Sequence, residues 1–347
     1  MKDRRLVGRT LAIRADGDSE IGTGHLMRCL ALADAWQRAG GRARLISAAI
    51  PGAIRQRYEE LGVSVEGAAG RSAPDMAAGA DVVVLDGQHL PDSDLDQLAA
   101  TGVPLVVIDD HGWRPRYPCA LILNQNAYAS PALYEGKTSA GLCLGPRWCL
   151  LRPEFADPAP RVTATRIARI LILMGGADPT GRSAMALESA ARAVRQLGGD
   201  IEIVLVVGAA NPAVQDLVDL AAGLPVPATV LHDVRSMAPV LSSADLAISA
   251  AGSTIWELAA LGAPMILGSQ NRGERGTASA LAVEGAAVDL GPLDGLDPDR
   301  LTRTIVELAA DAETRRRMSE AGQRLVDGAG ADRMVSRMAD LLDPDGR

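Results

Sequence analysis

Ile21-Gly22-Thr23-Gly24-His25 sets two glycines and a hydroxyl directly ahead of an imidazole. Before it, Leu11-Ala12-Ile13-Arg14-Ala15-Asp16 reads as a short strand ending in polar residues. After it, Leu26, Leu30, Ala33 and Trp36 recur at helical spacing. A glycine-rich turn feeding a helix start presents unpaired backbone N–H groups and the positive end of the helix dipole, which is a seat for phosphate. Gly22, Thr23 and Gly24 are the candidate phosphate contacts of this turn. His25 then stands in the first helical turn, and imidazole is the side chain whose ordinary pKa lies near neutrality. The pattern points to acid–base chemistry on a phosphate ester or nucleotide-sugar. Asp16 joins His25 as a candidate catalytic residue: Asp16 or Asp18 could orient the ring or a water, or both could cap and solvate the loop. Arg14 either complements a phosphate or pairs with Asp16.

A second constellation lies at Ile248-Ser249-Ala250-Ala251-Gly252-Ser253-Thr254-Ile255-Trp256-Glu257-Leu258. A strand ends at Ser249, small residues turn the chain, and a helix begins near Ser253 or Thr254. Hydroxyls and free N–H groups at a helix start suit a diphosphate, so Ser249, Gly252, Ser253 and Thr254 are candidate phosphate contacts. Glu257, about one turn further on, either accepts two hydrogen bonds from a ribose diol or closes a capping box with those hydroxyls. Gly175 and Gly176 open another glycine turn after the run Ile170–Met174, with Asp178-Pro179 reading as a helix cap or as part of the contact.

Among the other histidines, His232 follows a strand, His111 follows Asp109-Asp110 at the end of one, and His89 reads as surface. The Asp109-Asp110-His111 group has no second ligand set, and Cys29, Cys119, Cys143 and Cys149 lack zinc-like spacing. The expectation is no metal, no cofactor, and reduced thiols in or near the core.

The elements that must position these residues alternate. In the first half, strand candidates fall at Leu11–Ile13, Ala43–Ile46, Val82–Leu85, Leu105–Ile108 and Leu121–Leu123, with helices such as Leu26–Ala39 and Leu95–Thr101 between most of them. A Pro-rich stretch, Arg152–Pro160, reads as a linker. The pattern then restarts with strands at Ile170–Met174, Ile203–Val207, Ala228–Leu231, Leu246–Ile248, Met265–Leu267 and Ala287–Leu290. Three helical segments close the chain, Pro298–Ala310, Ala312–Leu325 and Ala331–Leu342. Continuous apolar strands alternating with helices predict parallel sheets covered on both faces. The expected fold is α/β, with two Rossmann-like doubly wound domains facing across a cleft. Their expected bounds are 1–156 and 161–347, with the last helix free to pack back on the first domain.

The bulk properties agree. The 347 residues exceed the size at which one core usually keeps growing. Net charge is −8 and no basic block stands out, which disfavours a nucleic-acid partner. No apolar run is long enough to span a membrane and no apolar segment follows the charged N-terminus, so a cytoplasmic protein without membrane insertion is expected.

Several of these motifs together resemble the UDP-sugar hydrolases of pseudaminic acid biosynthesis, a family that includes spore-coat polysaccharide biosynthesis proteins. The resemblance is carried by Arg14-Ala15-Asp16, by Ile21 through Ala33, and by Val107-Ile108-Asp109-Asp110. Leu123-Asn124-Gln125-Asn126, Leu144–Trp148, Leu150–Phe155, Met174–Asp178 and Ile248–Leu258 extend it, so that it runs from about residue 11 to about residue 330. It implies a glycosyltransferase B (GT-B) fold, related to the transferase that makes lipid II, with a UDP-sugar as the small-molecule partner. Backbone groups near Val234 and Met237 would meet uracil, Glu257 the ribose, and Ser253 and Thr254 the diphosphate. His25 would work at the sugar–phosphate junction. The implied reaction is attack of water on the anomeric carbon, releasing UDP and a free diacetamido-trideoxy sugar. Two departures lie on the sugar side. The family's Asn-Gln pair falls at Gly273-Glu274, with Gln270 and Asn271 just upstream, which makes Asn271 and Glu274 the sugar-side candidates. A family tyrosine is replaced within Gly87-Gln88-His89. Metal-independent hydrolysis is the leading expectation, with glycosyl transfer to an acceptor hydroxyl, or a non-catalytic nucleotide-sugar binding subunit, as rivals.

Overall fold

The computed structural model describes residues 3–18, 21–176, 178, 180–208 and 211–343. The chain divides into two compact units: residues up to Ala156 together with those from Gly328 onward, and Asp157–Asp327.

The first unit begins with β1 (Thr10–Ala15), α1 (Gly24–Arg38), β2 (Arg42–Ser47), α2 (Gly52–Glu60) and β3 (Ser64–Gly67). It continues with α3 (Ala73–Ala77), β4 (Val82–Asp86), α4 (Asp92–Ala100), β5 (Leu105–Ile108), β6 (Leu121–Asn124) and β7 (Gly141–Leu144). The strands form one parallel sheet in the order β3-β2-β1-β4-β5-β6-β7. Inner strands are apolar end to end because both faces are covered. Leu11, Ile13, Val82 and Val84 join α1 residues such as Trp36 in one cluster, while Ala12, Val83, Leu85 and Val107 face a second cluster on the opposite side. The strands β3 and β7 were not among the apolar runs. Both are sheet edges with mixed exposure, so nothing forces a continuous hydrophobic stretch there. The strand order reverses direction between β1 and β4, whose connections therefore leave on opposite sides and open a crevice at the strands' carboxyl ends.

The second unit runs β8 (Arg169–Leu173), α5 (Arg182–Leu197), β9 (Glu202–Val207), α6 (Val214–Ala222), β10 (Ala228–His232), α7 (Ala238–Ser242) and β11 (Leu246–Ala250). It ends with α8 (Thr254–Ala260), β12 (Met265–Ser269), α9 (Arg272–Val283), β13 (Ala287–Pro292), α10 (Pro298–Ala310) and α11 (Ala312–Leu325). Its sheet is again parallel, in the order β10-β9-β8-β11-β12-β13, with the reversal between β8 and β11. Both units are thus doubly wound, Rossmann-like α/β folds. Among the described residues, no helix is long and apolar enough to cross a membrane.

The last helix, α12 (Gly330–Leu342), belongs to the first unit, so the second ends at Asp327 and not at 347. The reason is its apolar stripe: Ala331, Met334, Val335, Met338 and Ala339 are buried in the cluster that contains Leu30 and Trp36 of α1. Gly330 opens this helix against the backbone, where an added Cβ would stand 2.2 Å from the Cys149 carbonyl oxygen. Gly330→Ala is therefore expected to cost about 1–3 kcal/mol through overpacking, measured as a drop in denaturant midpoint with an unchanged slope.

Candidate active site

His25 sits at the second position of α1, whose N-cap, Thr23, makes no side-chain cap hydrogen bond and whose first turn carries no acid. Gly22 supplies the positive φ of 83° that lets the chain turn into the helix. The ring Nδ1 lies 2.8 Å from Oδ1 of Asp86, the last residue of β4. Asp86 is fully buried. Burial alone would raise its carboxyl pKa, but the Arg28 guanidinium and His25 hold it well below the usual carboxylate range. A terminal nitrogen of Arg28 also lies 3.0 Å from Nδ1, and in the tautomer that donates to Asp86 the neutral ring presents its lone pair at Nε2. Nε2 has no hydrogen-bond partner among the described residues, and the side chain is 22% exposed.

Arg28 completes the arrangement from one turn further along α1. Its Nε and one terminal nitrogen reach the two Asp86 oxygens at 2.7 and 2.6 Å, and both terminal nitrogens reach Asp110 at 2.8 and 2.9 Å. Burial opposes the charge on Asp110 as well, and Arg28 again keeps its pKa below the ordinary value. Asn126 donates to Asp110 at 3.0 Å. Asp86 and Arg28 are not among the candidates the sequence offers, and Asp110 enters there only as part of the Asp109-Asp110-His111 group. Two signals were present: an acid closing an otherwise apolar strand, and an arginine three residues after His25 on the same helical face.

Asp16 does not orient His25. It is buried and accepts from Arg14 at 2.5 and 2.7 Å, from Ser47, from the amides of Ala48 and Ala49, and from Nε2 of His89 at 2.7 Å. Arg14 is consequently an ion-pair partner and not a phosphate contact, because its guanidinium is committed to Asp16 inside the fold. His89 is exposed, as the sequence suggests, and its Nε2 also meets a buried carboxylate.

In the second unit, the structure brings the carboxyl ends of β8, β11 and β12 together. Gly175 follows β8, and its Cβ position would lie 3.9 Å from the Gln270 amide nitrogen, which donates to the Met174 carbonyl at 2.9 Å. The Cβ position of Gly252, after β11, lies 4.0 Å from Glu274 Oε1. Ser253, the N-cap of α8, makes no side-chain cap hydrogen bond and is exposed, as Gly176 is, so the capping box with Glu257 is not formed there. Thr254 and Glu257 are half-buried on the first turn of α8.

Three other expectations change. Ser249 is buried and donates to the Ala250 carbonyl at 2.7 Å, which removes it as a phosphate contact. Asn271 caps α9 by accepting from the Glu274 amide, and Glu274 accepts from the Gln270 amide, so both shape the turn into α9. Burial raises the Glu274 carboxyl pKa. Asp178 caps α5 through the amides of Arg182 and Ser183, while its neighbour Pro179 lies outside the described residues. Val234 lies between β10 and α7, and Met237 is the N-cap of α7, which packs against α8. Among the described residues, no group of three or more His, Cys, Asp or Glu could hold a metal ion.

Residues 170–332 match the model of the glycosyltransferase family 28 C-terminal domain. The chain is 30% identical over 201 residues to spore coat polysaccharide biosynthesis protein SpsG of Bacillus subtilis (strain 168), covering 57% of this chain and 58% of that protein. It is 32% identical over 199 residues to UDP-N-acetylglucosamine–N-acetylmuramyl-(pentapeptide) pyrophosphoryl-undecaprenol N-acetylglucosamine transferase of Sorangium cellulosum (strain So ce56), covering 56% of this chain and 47% of that protein. The chain thus spans about half the length of the curated relatives it matches. The crystal structure of Acinetobacter baumannii MurG superposes with a TM-score of 0.69 at 16% identity, covering 95% of this chain and 99% of the other. The fold is that of the GT-B glycosyltransferases, with two Rossmann-like domains.

The depressed carboxyls have a measurable consequence. In the unfolded chain they titrate near about 3.9, so between that value and the lower folded values the unfolded state binds more protons. Their contribution to stability is complete above the unfolded value and is lost as pH falls through the folded ones. Urea unfolding from pH 6 down to 3 is expected to show stability dropping below about pH 4. Asp86→Asn should lower stability by about 3 kcal/mol at pH 6 and flatten the acid-side slope. An unaltered slope would contradict the buried network.

Proposed function

We propose that this protein is a GT-B enzyme that transfers a glycosyl group from a UDP-sugar to an acceptor hydroxyl. The observation that carries the proposal is His25, held through Nδ1 by an ionised buried carboxylate, with Nε2 lacking a hydrogen-bond partner among the described residues, at the start of α1. Nε2 accepts the proton of the attacking oxygen as that oxygen bonds to the anomeric carbon. The bond from the anomeric carbon to the diphosphate oxygen breaks, and its electron pair leaves with UDP. The nucleotide is held by the second unit. Ser253, Thr254 and the amides at the start of α8 meet the diphosphate and offset its developing charge, Glu257 accepts from the ribose diol, and the Val234–Met237 segment meets the base. Support comes from the family 28 match over this unit and from the relative named as an N-acetylglucosamine transferase.

Hydrolysis is the second reading, with water in place of the acceptor and a UDP-linked diacetamido-trideoxy hexose as substrate. It is favoured by the resemblance of Arg14–Ala33 and Val107–Asp110 to UDP-sugar hydrolases. Incubation with a panel of UDP-sugars, followed by NMR of UDP and free sugar, separates the two. Transfer predicts UDP release that rises steeply when acceptor is supplied, whereas hydrolysis predicts the same release without it.

His25→Ala is expected to lower turnover by about 100-fold or more. Unchanged turnover, or tight UDP binding with no turnover in the wild type, would leave only a binding role. Glu257→Ala is expected to weaken UDP binding by about tenfold in calorimetric titration, the scale of one charge-assisted hydrogen bond. Equal affinity in the two proteins would remove the ribose assignment.

A further inference from the structure

The junction of β1 and β4 holds two histidine–carboxylate pairs, and the chemistry above uses one. The pairs are crossed. Asp86, ending β4, holds His25 from the connection after β1, whereas Asp16, just past β1, holds His89 from the connection after β4. Alternation along the strands puts them on opposite faces, Asp86 with the α1 cluster and Asp16 with Arg14 on the other side. Burial would raise the Asp16 carboxyl pKa, but Arg14, His89 and the Ala48 amide hold it well below the usual range. The His89 Nε2 facing it therefore carries a proton, and the lone pair of the neutral ring is at Nδ1. The His89 side chain is 37% exposed.

His89 lines a pocket of about 370 Å³ with Asp92, Asp109, His111, Trp113 and Arg114. Arg114 fixes its walls, donating to the carbonyls of Gly87 and Leu90 at 3.0 and 2.9 Å and pairing with Asp92. Asp109 is filled by the hydroxyls of Tyr117 and Tyr134 and the amides of His111 and Gly112. With its arginine already paired and two carboxylates in its wall, the pocket suits a neutral ligand and not an anion. Trp113 is 67% exposed yet held in place, stacked on His111 with centroids 4.1 Å apart and planes 18° from parallel. One indole face meets His111, and two-thirds of the residue remains exposed. An anchored, exposed indole beside polar groups, in a pocket of this size, matches a sugar ring. Such a ring offers an apolar C–H face to the aromatic surface and hydroxyls to its neighbours.

We propose that this pocket binds a saccharide ring of the acceptor, stacked on the exposed indole of Trp113, with a ring hydroxyl donating to Nδ1 of His89. The word acceptor rests on the glycosyl-transfer reading; ring binding itself requires no turnover. The test is saturation-transfer NMR on the full chain without donor, using N-acetylglucosamine, methyl β-glucoside and chitobiose as probes. Saturation of the ring protons of at least one probe is expected. The dissociation constant should rise about tenfold in Trp113→Ala and less in Trp113→Phe, which keeps an aromatic face. His89→Gln should weaken binding about threefold or more, the scale of one hydrogen bond. Because Trp113 and His89 lie outside the core, these variants keep the fold, checked by circular dichroism. Saturation of no probe, or undiminished saturation in Trp113→Ala, overturns the proposal. The acceptor dependence of UDP release decides the reaction class separately, so failure of transfer and failure of the pocket are read in different experiments.

Discussion

A carboxylate with no exposed surface, at the end of an inner strand, cannot stand alone. The cost of removing Asp86 from water is met only because Arg28 covers both of its oxygens and His25 supplies a further hydrogen bond. Arg28 is in turn shared with Asp110 beyond the end of β5, so one guanidinium joins two strand ends to one helix. His25, Arg28 and Cys29 fall at helical positions i, i+3 and i+4, and all three approach Asp86. This constraint sets the rotation of α1 about its axis. A helix turned by one residue would lose every one of these contacts and leave Asp86 buried and unpaired. The direction in which the imidazole presents Nε2 is therefore a consequence of burying Asp86.

The two units answer the same topological problem with different chemistry. Each sheet reverses direction at its centre, and each collects its distinctive residues at the carboxyl ends of the strands flanking the reversal. In the first unit that place is filled by ionised side chains paired deep inside the fold, an arrangement suited to holding and moving a proton. In the second it is filled by glycines, a helix start without a side-chain cap, and Gln270 bracing the β8 turn, an arrangement of small residues and backbone groups. Crossing of the two histidines in the first unit follows from the same reversal, since adjacent strands send their connections to opposite faces.

Much of this was legible because inner strands of a parallel sheet are buried on both faces, and that requirement writes a continuous apolar run into the chain. Leu105–Ile108 is a strand over the residues read from the sequence, and Pro298–Ala310 and Ala312–Leu325 are helices over theirs. The edge strands Ser64–Gly67 and Gly141–Leu144 escaped because partial exposure imposes no such pattern. At the candidate sites, the glycine-rich entry to α1 and the small-residue turn before α8 were visible because tight turns demand particular residues in sequence order.

Partner choice among polar side chains was not visible. By type and spacing Asp16 was as good a companion for His25 as any acid, and Arg14 and Ser249 were plausible phosphate ligands. Two doubly wound units, and the glycine-rich and small-residue turns at their strand ends, are written in the order of the residues, because backbone geometry and burial act through near neighbours. That Asp86, sixty-one residues away, holds His25 while Asp16 holds His89 is set by the packing of the folded sheet. Those choices depend on which strand lies beside which and on the face each side chain takes. The period-two alternation of a strand fixes that face only once the strand's neighbours are in place.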